Sequence, residues 1–250
     1  MKTAVITGAG RGIGRAAAFT LARDGYAVAV GYHRNAESAA EVVDEIHRDG
    51  GHAAAFALDV ADQEQCAEFV RAAGERLGPV RAVISNATGF GSASPSLGKA
   101  LETPWHTYEQ MFATRVGSLL ALVAAARPQL AGGGRVVTTV STGTSRHVPG
   151  YAAIAAAMAA AESVVRYLAV ELGRDGITVN LVSGGVVATD ALREISPDPE
   201  RLLAAAARAT PLGRAGSPED LAKVIAFLCG ENADWITGRS IITDGGNSLR

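Results

Sequence analysis

The first residues along this chain that could do chemistry form a glycine turn behind an apolar run. Thr3-Ala4-Val5-Ile6 is short and partly β-branched, as a fully buried parallel strand should be. Thr7-Gly8-Ala9-Gly10-Arg11-Gly12-Ile13-Gly14 follows, and Ala16, Ala17, Phe19, Thr20 and Leu21 then read as a helix packed on that strand. Gly8, Gly12 and Gly14 have no Cβ, so the turn can be tight and the helix can approach the strand closely. The backbone N–H groups of the new helix N-terminus then point outward, positioned for a diphosphate. The strict Gly-x-Gly-x-x-Gly spacing fails: counted from Gly8 the last glycine falls on Ile13, and counted from Gly10 it falls on Arg15.

Two cations accompany the turn. Arg11 lies within it, and Arg34 ends the second apolar run, Tyr26 to Tyr32, in Gly31-Tyr32-His33-Arg34. An acidic residue usually meets the free ribose hydroxyl at that point. Its replacement by an arginine favours a 2′-phosphate, hence NADPH over NADH. Taken singly, each arginine is also what a solvated surface charge looks like.

These residues need a scaffold, and the pattern around them supplies one. Further strands are expected at His52 to Leu58, Val80 to Ser85, Arg135 to Ser141, Ile177 to Val182 and Ser240 to Thr243. Helices are expected at Ala36 to Asp49, Asp62 to Leu77, Pro104 to about Leu130 and after Pro149, with a Ser/Gly/Pro-rich loop over 88–103. Strands separated by helices imply right-handed crossovers and a doubly wound parallel sheet of about seven strands, an α/β Rossmann-type fold. With 250 residues, 48% hydrophobic and 19% charged, the chain can bury one large core, and 1–250 reads as one domain.

Composition narrows the partners. A net charge of −2 gives no reason to expect nucleic acid or an anionic membrane. Cys66 and Cys229 lie far apart and form no disulfide framework, which fits a reducing compartment. No signal peptide or membrane-length apolar run is read, the Ala-rich stretch from Ala152 to Ala161 being bounded by Tyr151 and Glu162. The expectation is a cytoplasmic protein, and no residues are assigned to a metal.

Thr-Gly-x-x-x-Gly-x-Gly resembles the glycine motif of the short-chain dehydrogenases/reductases, and other segments resemble that family in order. Leu58-Asp59-Val60 resembles its adenine-ring contact, and Ser85-Asn86-Ala87 its Asn-Asn-Ala, with Thr88 in place of the usual glycine. Ile177-Thr178-Val179-Asn180 and Ser183-Gly184-Gly185-Val186-Val187-Ala188-Thr189 resemble the sixth strand and the loop over the nicotinamide. Thr237-Gly238 and Asp244-Gly245-Gly246 resemble the C-terminal strand and tail. The resemblance implies cofactor contacts from Gly8, Arg11, Gly12, Ile13, Gly14, Arg34, Asp59, Val60, Asn86, Gly184, Val186 and Thr189. It also implies an assembly of copies, a dimer or tetramer.

Within the family, Ser183 to Leu192, Val165 to Leu172 and the ending Asp244 to Leu249 most resemble the third class of bacterial enoyl-acyl-carrier-protein reductases. Those enzymes reduce an enoyl thioester with NADPH, using a tyrosine and a lysine seven residues apart. Here the reactive stretch departs from the pattern. Tyr151 and Ser141 match the family's tyrosine and serine, but Met158 stands at the lysine position, two helical turns after Tyr151 and on the same face. The commoner four-residue step would put lysine at Ala155. Counting from Asn180 and from Ser141 places the common tyrosine at Ile154 and the lysine again at Met158. The asparagine of the preceding helix corresponds to Thr114.

The lost ammonium is a large term. A free phenol titrates near ~10, and a unit charge at about 4 Å in an effective dielectric of ~20 is worth roughly 4 kcal/mol. The three lysines, Lys2, Lys99 and Lys223, offer no substitute, while Arg146 and His147 lie just before Tyr151. Ketone reduction forms a strongly basic alkoxide and suffers most from the loss. An enolate from a thioester has delocalised charge and needs mainly a hydrogen bond at oxygen, which a neutral Tyr151 can give.

Three functions stay open on these residues. One is an NADPH-dependent reductase acting on a small-molecule or carrier-bound acyl thioester, fatty-acyl or polyketide-like. Another is a lyase, isomerase or cyclase in the inherited pocket. The third is a non-catalytic partner of an active homologue, paired through the helices after Pro104 and Pro149. A substrate lid is expected over 191–214, where Pro197, Pro199 and Ala204 to Ala207 fall.

Overall fold

Parallel strands that alternate with helices must hand the chain from one sheet face to the other. In the computed structural model, which describes residues 1–88 and 98–249, they form a seven-stranded sheet of order β3-β2-β1-β4-β5-β6-β7. The strands are β1 (Lys2–Thr7), β2 (Tyr26–Tyr32), β3 (Ala53–Ala57), β4 (Val80–Ser85), β5 (Arg135–Ser141), β6 (Thr178–Gly184) and β7 (Ser240–Thr243). All pair in parallel. The order reverses between β1 and β4, and open α/β sheets leave a crevice beyond the strand ends at such a switch point.

One face is covered by α1 (Gly12–Arg23), α2 (Ala36–Arg48) and α9 (Pro218–Cys229), with Leu21, Ile46, Ile84, Leu221 and Ile225 fully buried beneath them. The other is covered by α3 (Gln63–Leu77), α4 (Trp105–Phe112), α5 (Ser118–Leu130) and α6 (Ala152–Leu172), packing around Phe69, Leu119, Leu122 and Val136. The short helices α7 (Asp190–Ile195) and α8 (Pro199–Ala209) fall where the lid is expected.

Three expectations need correction. The helix from Pro104 to Leu130 is not continuous: a π-helical turn, Ala113–Gly117, separates α4 from α5. The Thr114 and Ser118 hydroxyls bond back to the carbonyls of Met111 (3.1 Å) and Thr114 (2.6 Å), competing with the regular ladder. The sixth strand starts and ends later than expected and runs to Gly184, which stands beside Ser141 of β5. Finally, α6 and its 3-10 extension, Ala152–Asp175, are long and apolar enough to cross a membrane by length and composition. The reason is that this helix is a core element, burying Ile154, Ala157, Met158, Val165 and Leu172 against the sheet. The loop expected over 88–103 lies outside the described residues from 89 to 97.

Cys66 and Cys229 are free and buried. Burial pushes their thiols up to about 11 and about 12, so neither is a thiolate at neutral pH.

Candidate functional site

Close approach of backbone to backbone builds the cleft. Gly8 and Gly12 take left-handed φ values of 66° and 54°, where a side chain is strained. Gly14 is needed for another reason: a Cβ there would run into the Gly8 carbonyl oxygen and lie 2.7 Å from Asn86 Nδ2. Asn86 ties the turn to β4. Its Nδ2 donates to the carbonyls of Thr7 (3.1 Å) and Gly8 (3.4 Å), while the backbone N–H groups of Asn86 and Ala87 donate to the Thr7 hydroxyl at 2.9 and 3.0 Å.

The result is a cleft of about 740 Å³ at the switch point. Of the residues singled out in the sequence, Gly8, Arg11, Gly12, Ile13, Arg34, Asp59, Val60, Asn86, Thr114 and Thr189 line it. Gly14 sits behind the turn, and Gly184 is buried with Leu221 against it. Val186 is turned to backbone pairing, its carbonyl accepting from the Gly216 N–H at 2.9 Å. Arg34 is exposed at the mouth, beside a His33–Asp59 contact of 3.7 Å. Arg11 reaches across to Glu194 of α7, pairing the glycine turn with the lid region.

Tyr151, Ser141 and Met158 form a second group. The Tyr151 Oη lies 3.9 Å from Met158 Sδ, so the helical spacing does bring the phenol onto the residue seven positions later. Ser141 accepts from the Gly143 N–H at 3.0 Å, and Gly143 fits only because it lacks a Cβ, which would lie 2.9 Å from the Tyr151 ring. Burial pushes the phenol of Tyr151 up, while the charge of Arg115 and hydrogen bonding with Ser141 pull the other way. The net direction is upward, so at neutral pH the phenol keeps its proton and is a donor.

Comparison with known proteins places this geometry. The family model described as Enoyl-(Acyl carrier protein) reductase matches residues 8–248. A 1-cyclohexenylcarbonyl-CoA reductase of Streptomyces collinus is 34% identical over 253 residues, spanning 99% of this chain and 87% of that protein. The chain belongs to the short-chain dehydrogenase/reductase family. Among solved members, a short-chain dehydrogenase of Burkholderia cenocepacia in complex with NADP superposes with a TM-score of 0.89 at 31% identity, covering 99% of this chain and 98% of that one. A 7α-hydroxysteroid dehydrogenase complexed with NADH and 7-oxo glycochenodeoxycholic acid gives 0.90 at 32% identity, covering 98% and 93%. As a member of this oxidoreductase family, the chain has the fold expected from its glycine turn and strand order.

Arg146 and His147, the residues just before Tyr151, are directed elsewhere, as are the three lysines that offered no substitute. Arg146 turns to the C-terminal tail, donating to Asn247 Oδ1 at 2.5 Å, and His147 is exposed. Lys2 lies over the Tyr26 ring at 4.8 Å, Lys99 pairs with Glu102 at 3.0 Å, and Lys223 is exposed on α9. The residue missed by the sequence reading is Arg115, buried in the π-turn. A signal was present: Met111, Arg115, Leu119 and Leu122 follow the spacing of one helical face, and an arginine on an apolar stripe points inward with it.

Proposed function

We propose that this short-chain dehydrogenase/reductase is an NADPH-dependent reductase of the carbon–carbon double bond of an enoyl thioester, with Tyr151 as donor and no catalytic lysine. The observation that carries the reading is the phenol held against the Met158 thioether, uncharged and protonated. Such a group suits an enolate oxygen better than an alkoxide. The Streptomyces relative, whose name is that of an acyl-CoA reductase, supports the thioester class.

A dinucleotide fits the cleft on this structure's own terms. The positive-φ glycines Gly8 and Gly12 open a cradle that Cβ atoms would strain, and Gly12 faces Thr189 across the cleft at ordinary contact distance, its φ of 54° being what a side chain would strain. Gly8, Gly12, Ile13 and Asn86 would hold the diphosphate end of NADPH, Asp59 and Val60 the adenine, and Thr189 the nicotinamide side. Arg34 would meet the 2′-phosphate, and Arg11 would do so once parted from Glu194. Gly14, Gly184 and Val186 support these contacts from behind. When bound, the cofactor supplies hydride. The chain's task is to stabilise the charge that appears on the thioester oxygen, with the Tyr151 O–H donating and Ser141 fixing the phenol's direction. The exposed Tyr167 and Val170 of α6 support association of copies through that helix.

The test is titration with NADPH, followed by nicotinamide fluorescence, and then addition of a crotonyl thioester. Binding with oxidation of NADPH is expected, and Tyr151→Phe should slow turnover roughly 10²-fold. Binding without oxidation would favour non-redox chemistry in the same pocket. Failure to bind would leave the scaffold reading.

A further inference from the structure

The family lysine is gone, yet the tyrosine is not remote from every cation. Arg115 lies in the π-turn between α4 and α5, with its side chain directed inward and only 2% of the residue exposed. Its Nη1 donates to the Ala87 carbonyl at 2.8 Å, and its Nη2 donates to the Thr139 carbonyl. Nε is buried with no partner. Ala87 lines the cleft beyond the end of β4, and Thr139 stands two residues before Ser141 on β5. The guanidinium therefore bridges the two strand ends that carry the cleft and the serine.

No carboxylate among the described residues answers this charge. Both of its partners are neutral carbonyls, and the residue beside it that lines the cleft, Thr114, spends its hydroxyl on Met111. Burying a cation without a counter-charge costs several kcal/mol. Burial pushes Arg115 down from the usual guanidinium range, a charge on Tyr151 pulls it back up, and it stays charged at neutral pH. A leucine would fill the same apolar stripe without that cost, so the charge calls for a use beyond packing.

We propose that Arg115 is a positioning residue for Tyr151, supplying from the π-turn the positive field that Met158 cannot supply from α6. The inference rests on the reading of Tyr151 as the proton donor. Arg115 acts through the phenol and need not touch substrate or cofactor. Polar groups on α6, on the elements packed against it and just before Tyr151 have partners of their own. Glu162 of α6 accepts from the Thr144 hydroxyl at 2.9 Å, Tyr108 of α4 donates to the Ala100 carbonyl at 3.1 Å, and Arg146 is held by Asn247. Ser141 of β5 is the remaining neighbour, and it carries no charge. The π-turn that carries Arg115 packs on α6, the helix that Tyr151 caps, and the guanidinium is tied to Thr139 two residues before Ser141, so this buried charge stands between the two elements that hold the phenol. Its sign favours the state with negative charge developing at or beyond the oxygen.

The decisive measurement needs no substrate. An alkaline titration of tyrosinate absorbance is recorded for the wild-type protein, Tyr151→Phe, Arg115→Met and Arg115→Gln. The transition that Tyr151→Phe abolishes should move to higher pH in Arg115→Met; a lysine buried at this position loses its proton before the raised phenol does, so Arg115→Lys is read in turnover at neutral pH. Arg115→Gln keeps donors for the strand-end carbonyls without the charge. It carries the same expectation where Arg115→Met fails to fold. With a crotonyl thioester, the uncharged variants should lose roughly ten- to a hundredfold in kcat with KM for NADPH unchanged, and Arg115→Lys should recover most of it. A Tyr151 transition that stays put in every folded variant would overturn the proposal and leave Arg115 as a tie between β4 and β5. Absence of thioester turnover in the wild-type protein would instead sink the reductase reading, and the spectral result would stand apart from it.

Discussion

The cleft beside β1 and the pocket around Tyr151 both lie beyond the C-terminal ends of the strands of one sheet, yet they are held by different means. The cleft is made of backbone: positive-φ glycines, a glycine pressed on a carbonyl, and an asparagine amide bonded to two peptide oxygens. Such a site tolerates almost no change, because what it needs is the absence of atoms. The pocket is made of charge and direction. A field can be delivered from more than one neighbouring element, so the position of the cation is free to vary where the glycines are not.

The sharpest way to break this contrast is to add a single carbon to the rigid half. Gly14→Ala places a methyl group against the Gly8 carbonyl and Asn86, and should cost about 3 kcal/mol, read as a lower denaturation midpoint together with lost NADPH binding. Were it to fold and bind as before, the cleft would be less backbone-determined than described. In the adaptable half, Met158→Lys should raise turnover of a crotonyl thioester roughly tenfold, worth about 1.4 kcal/mol of barrier. The gain should be larger when Arg115 has already been made neutral, since the two cations then no longer share one task. Strictly additive effects on log kcat would count against a shared field.

Next in size is the cofactor preference. Arg34→Ala should weaken NADPH by about tenfold and leave NADH unchanged, measured as two dissociation constants. Equal binding of both cofactors by the unaltered protein would remove the 2′-phosphate from the account. The smallest effect concerns α9, which packs under α1 and so supports the cleft half. Asp220 closes a capping box with Ser217 and pairs with Arg214 at 2.6 Å, and the Arg214 hydrogen bond holds its carboxyl well below the usual range. A carboxyl depressed in the folded state adds stability above its unfolded value near ~4 and loses it as pH falls further. Asp220→Asn should therefore cost about 1 kcal/mol at neutral pH, with the gap to wild type closing in unfolding curves taken below about pH 4.

Much of this molecule was readable along the chain. Alternating apolar runs and amphipathic stretches are local signals, and they gave the strand order's ingredients, the glycine turn and the seven-residue step from Tyr151 to Met158. Gly8, Gly12 and Asn86 lie next to strands whose ends must meet at the switch point, so their shared cleft followed from topology. The π-turn did not follow, because it depends on hydroxyl bonds from Thr114 and Ser118 competing with a ladder that the residue pattern equally allows.

What only the tertiary structure decided is where charges find each other. Arg11 meets Glu194 from 183 residues away, and Arg115 meets the carbonyls of Ala87 and Thr139 across two strands. Hydrophobic period and glycine spacing act within a few residues, so a sequence reports them directly. A buried charge is defined by the dielectric and the partners around it, and those exist only after distant segments have packed.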